Sequence, residues 1–83
     1  MRELAFRVMG DHPRQVELNI YDSLGTLVAC PLRPAALPPG RYSAWWEGKT
    51  LAGQPAPPGI YLVRCAADDD RAFRVIEWRP DDA

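Results

Sequence analysis

The sequence predicts an all-β domain, a two-sheet antiparallel β-sandwich of about six to seven strands. Three observations predict it. Apolar and polar residues alternate with a period of two, and no apolar stripe at helical spacing persists for the ~11 residues a helix needs. Turn-forming residues interrupt that alternation about every ten positions. The chain also spends nine prolines and six glycines on 83 residues, a density that suits short strands joined by fixed bends.

In chain order, Leu4, Phe6 and Val8 share one parity of a first strand, and Glu3, Ala5 and Arg7 the other. After the turn GDHPR, Val16, Leu18 and Ile20 alternate with Glu17 and Asn19, giving a strand with one dry and one wet face. YDSLG offers Asp22 and Ser23 to bond nearby backbone and Gly25 to accept a positive φ, so the chain reverses into TLVAC as a hairpin. Pro31, Pro34, Pro38 and Pro39 each lack a backbone donor, which excludes a helix or central strand over residues 31 to 40 and predicts a surface connection. Tyr42, Ala44 and Trp46 then alternate with Arg41, Ser43 and Trp45 in a strand that stops at Gly48. Gly53, Pro55, Pro57, Pro58 and Gly59 preset a long bend. IYLVRCA and RAFRVIEW complete the set as a hairpin around Asp68, Asp69 and Asp70.

Residues 1 to 83 are short enough for one domain, and at this size only ~60% of the unfolded chain's surface is buried on folding. The core is therefore thin. Ten Lys and Arg against eleven Asp and Glu leave a net charge of −1, which gives no broad attraction for nucleic acid or an anionic membrane. No stretch approaches the ~20 apolar residues of a membrane span, and MRELAFRVMGDH lacks the features of a signal peptide. Cys30 and Cys65 are too few for a disulfide framework, and a single bridge between them stays open.

VELNIYDSLGTLV followed by LPPGRYSAWWEGKTLAGQPAPPGIYLVR resembles the Ig-like domain of the bacterial flagellar hook-capping protein FlgD and related C-terminal modules of secreted bacterial proteins. Tyr21, Asp22, Gly25, Val28, Gly40, Trp46, Gly48, Gly53, Pro55, Gly59 and Tyr61 carry the match. The resemblance implies an immunoglobulin or fibronectin-III-like sandwich. It also implies structural work for the matched residues: Trp46 between the sheets, Gly48 in a backbone conformation costly to other residues, and Tyr61 after Gly59 as a tyrosine corner. The long bend then carries the chain from one sheet to the other. For location, the resemblance implies an extracytoplasmic or surface assembly.

Nothing in the sequence assembles a catalytic site, and no cofactor is expected. His12 sits beside Pro13 in a turn with no nucleophile or orienting partner in view. Ser23 and Ser43 lack the context of an activated nucleophile. Asp68, Asp69 and Asp70 lack the spaced ligands and glycine of a calcium loop, and His12, Cys30 and Cys65 lack zinc-ligand spacing. No metal is expected.

Apolar surplus is the remaining signal. Phe73 and Val75 have one parity, Ile76 and Trp78 the other, so a regular strand cannot turn all four inward. Trp45 opposes Trp46, and Ile60 and Leu62 oppose Tyr61 and Val63. Trp45, Ile60, Leu62, Phe73, Val75 and Trp78 are thus the candidate interface residues, and the expected function is a non-catalytic structural or interaction module that contributes to a protein assembly, with a protein partner or a second copy of itself, through apolar outer faces or open sheet edges. A carbohydrate ring stacked on an exposed Trp45 or Trp78 is the second reading, and a secretion or sorting domain is a third.

Overall fold

The computed structural model describes residues 1–80. Six strands follow one another, β1 (Arg2–Val8), β2 (Arg14–Tyr21), β3 (Leu27–Leu37), β4 (Gly40–Trp46), β5 (Gly59–Ala67) and β6 (Asp70–Trp78). They form two antiparallel sheets, β1-β4 and β3-β2-β5-β6. The alternation explains the layering: Leu4 and Val8 from β1, Val16, Leu18 and Ile20 from β2, and Tyr61 and Val63 from β5 are all buried.

Residues 31 to 40 depart from the surface connection expected of them. The strand β3 runs on to Leu37, through Pro31 and Pro34. Two features reconcile proline with a strand here. First, β3 is an edge strand, so one row of its backbone groups needs no partner. Second, its ladder with β2 pairs Ala29 with Ile20, Leu32 with Leu18 and Ala35 with Val16, so three residues of β3 twice answer two of β2. Pro31 and Pro34 lie in those bulged intervals, where no ladder bond depends on their missing N–H.

The hairpin loop between β2 and β3 closes on Asp22. Its Oδ1 accepts from the backbone N–H of Leu24 and of Thr26, each at 2.9 Å, and Gly25 takes φ 84°. At the other hairpin Ala67 pairs with Asp70, leaving Asp68 and Asp69 as the turn, with Asp68 at φ 52°. The bend between β4 and β5 crosses from the small sheet to the large one. Inside it Ala56 N–H donates to Gly48 O at 2.8 Å and Thr50 N–H to Gln54 O at 2.8 Å, so the segment is hydrogen-bonded to itself.

Aromatic rings pin both ends of that bend. Trp46 is buried and its Nε1 donates to Lys49 O at 3.0 Å. The Tyr61 hydroxyl donates to Pro57 O at 2.5 Å. Between them the rings of Trp46 and Tyr61 meet edge to face at 5.2 Å, and Trp78 packs on Trp46 at 5.1 Å. Burial pushes the Tyr61 phenol above its ordinary value, with the Asp22 charge adding to the rise.

Candidate functional site

The six candidate interface residues separate into three environments. Trp78 is corrected outright: it is only 4% exposed and belongs to the core. Its parity, shared with Ile76, faces the small sheet because Trp46 of β4 supplies the ring that covers it. Space for it comes from Gly48, where a Cβ would lie 2.0 Å from the Trp78 ring.

Ile60, Leu62, Phe73 and Val75 stand on the outer face of the large sheet. The register places Tyr21 opposite Leu62 and Leu62 opposite Val75, and in the next row Asn19 opposite Arg64 and Arg64 opposite Phe73. Leu62 is half-buried between its neighbours, while Phe73 and Val75 are 60% and 65% exposed. Trp45 lies elsewhere. Its ring projects from the outer face of the small sheet, over a shallow depression lined by Pro31, Lys49, Thr50 and Leu51. The apolar surplus is therefore split between opposite faces of the sandwich.

Polar chemistry gathers at the acidic turn between β5 and β6. Arg14, at the start of β2, donates from Nε to Asp68 at 3.1 Å and from Nη2 to Ala67 O at 2.9 Å and Asp70 at 2.5 Å. Asp68 also accepts from the Gln15 N–H at 3.0 Å. That backbone bond, then the Arg14 guanidinium, holds the Asp68 carboxyl below its ordinary value. The acidic turn thus ties β2 to the β5–β6 hairpin, and two of its three carboxylates are spent on one guanidinium. The pairing of an arginine with a turn 54 residues away leaves no local signal in the chain.

The remaining titratable groups do not converge on a reactive centre. His12 is exposed, with Nδ1 2.9 Å from Asp11 Oδ1. Cys30 and Cys65 are free, and burial pushes the Cys65 thiol up, away from the nucleophilic thiolate. Among the described residues no group of His, Cys, Asp and Glu is placed to hold a metal ion, and no helix is long and apolar enough to cross a membrane.

Two short antiparallel sheets, crossed by a pinned bend and cored by Trp46, Tyr61 and Trp78, define an immunoglobulin-like β-sandwich module. Residues 2–71 match the FlgD Ig-like domain family, and the chain belongs to that family. No curated protein and no solved structure matches it. The family is one of non-enzymatic structural domains.

Proposed function

We propose that the chain is an interaction module that contributes to a protein assembly through the outer face of its four-stranded sheet. The observation that supports this is the apolar row Tyr21–Leu62–Val75, flanked by Ile60 and Phe73, on a face that no other described part of the chain covers. A contiguous apolar face on a small domain is costly to leave in water and marks a contact surface. A photoreactive residue at 73 or 75 is expected to cross-link to a discrete protein in the source cells. At Asp11, whose side chain is 96% exposed, it is expected to give no such adduct. Equal labelling from all three positions would overturn the reading. Phe73→Lys and Val75→Lys are expected to abolish the contact while moving unfolding free energy by no more than about 0.5 kcal/mol each, as exposed substitutions do.

The second reading rests on Trp45, half-exposed beside Lys49 and Thr50. A tryptophan fluorescence that stays flat through an oligosaccharide titration removes it.

A further inference from the structure

Among the described residues the small sheet has two strands against four, and β1 pairs only with β4. Beneath its other edge an apolar cavity of about 100 Å³ opens, lined by Leu4, Phe6, Leu18, Val63, Cys65 and Ala72. At that edge Arg74 Nη2 donates to the carbonyl of Ala5 at 3.0 Å. The backbone groups of Ala5 therefore face away from β4. Because an antiparallel strand presents alternate residues to alternate sides, those of Glu3 and Arg7 face the same way.

This edge carries none of the devices that blunt β3. It has no proline, and its ladder with β4 runs from Arg2 to Val8 without a register shift. Among the described residues a single side-chain bond, from Arg74, caps it. The ladder also sets Arg7 directly opposite Arg41, an unfavourable like-charge pair, and neither has a carboxylate partner among the described residues.

We infer that β1 pairs antiparallel with β1 of a second copy of this chain, with Ala5 on the two-fold axis. In that register each Ala5 N–H donates to the partner's Ala5 carbonyl, and Glu3 and the partner's Arg7 exchange both of their backbone bonds. The same register sets Glu3 opposite the partner's Arg7 on the outer face and Leu4 opposite the partner's Phe6 over the cavity. It thus supplies the carboxylate that Arg7 lacks, from a Glu3 whose Oε2 already accepts from Ser43 Oγ at 2.6 Å within its own chain. The order Glu3, Ala5, Arg7 is complementary to its own reversal, which an isologous contact requires. Arg74 swings off the Ala5 carbonyl as the new strand takes its place. The inference deepens the reading of the chain as an interaction module and rests on it, but uses a different surface.

Sedimentation of the full chain from micromolar to millimolar concentration tests it. A reversible monomer–dimer equilibrium is expected. Ala5→Pro removes only an N–H that faces the open edge, so it is expected to abolish dimers and leave the circular dichroism unchanged. Glu3→Arg and Arg7→Glu each create two like-charge pairs per dimer and are expected to weaken association about tenfold. Mixing these two variants is expected to restore it, because every cross-pair is then opposite in sign. A chain that stays monomeric throughout overturns the inference, as does a dimer indifferent to all three variants. If such a dimer is instead lost on Val75→Lys, or if a monomer still cross-links from positions 73 and 75, the interaction reading stands and the edge contact alone fails.

Discussion

Gly48 and Gly53 have nearly the same φ, 76° and 79°, in opposite surroundings. A Cβ at Gly53 meets nothing within 4 Å, whereas at Gly48 it would enter the ring of Trp78. The pair therefore separates conformational strain from collision. Gly53→Ala is expected to cost about 1 kcal/mol, the left-handed penalty alone. Gly48→Ala adds overpacking and is expected to cost about 3 kcal/mol or more. Urea midpoints of the two variants check this, and equal losses would mean that Trp78 yields freely. At Tyr61 the hydroxyl carries a single bond across the bend, so Tyr61→Phe is expected to lose about 1 kcal/mol by the same measurement.

Among the elements, the β5–β6 hairpin is locked by charge and β3 by shape. The Asp68 carboxyl lies below its ordinary value of 3.8 because the Gln15 N–H and then Arg14 favour its ionised form. A carboxyl lowered by folding contributes stability that is complete above the unfolded value and lost as pH falls through the folded one. The advantage of the native chain over Asp68→Asn is thus expected to be constant above about pH 5 and to shrink on acidification below 3.8. Asparagine tolerates the positive φ of this turn, so the comparison isolates the charge. An advantage that grew in acid would contradict the assignment. The alternation of β1, β2 and β5 was legible because one face of each is dry. In β6 it was not, since both parities carry large apolar groups, and the choice of Ile76 and Trp78 as the inner set depends on Trp46, on a strand of the other sheet. Prolines hid β3 for a related reason: the residues show that a donor is missing, but only the ladder with β2 shows that none was needed.

The whole molecule hangs on one aromatic cluster. For a chain of this length total stability is about 4–12 kcal/mol, and removing a buried ring costs about 3–5. Trp78→Ala is accordingly expected to bring the domain near its folding threshold, visible as a collapsed near-ultraviolet circular dichroism signal at room temperature. The architecture was readable from periodicity and punctuation. The open flank of β1 was not, because Arg74 reaches Ala5 across 69 residues and the deficit of strands exists only once the two layers are counted. The family match closes at residue 71, yet Ile76 and Trp78 lie beyond it and seal the interior. Trimming to the matched span would leave the sandwich open at one end of its core. A cut anywhere ahead of position 78 on the edge strand β6 would disarm the module while every strand in the middle of the large sheet stayed whole.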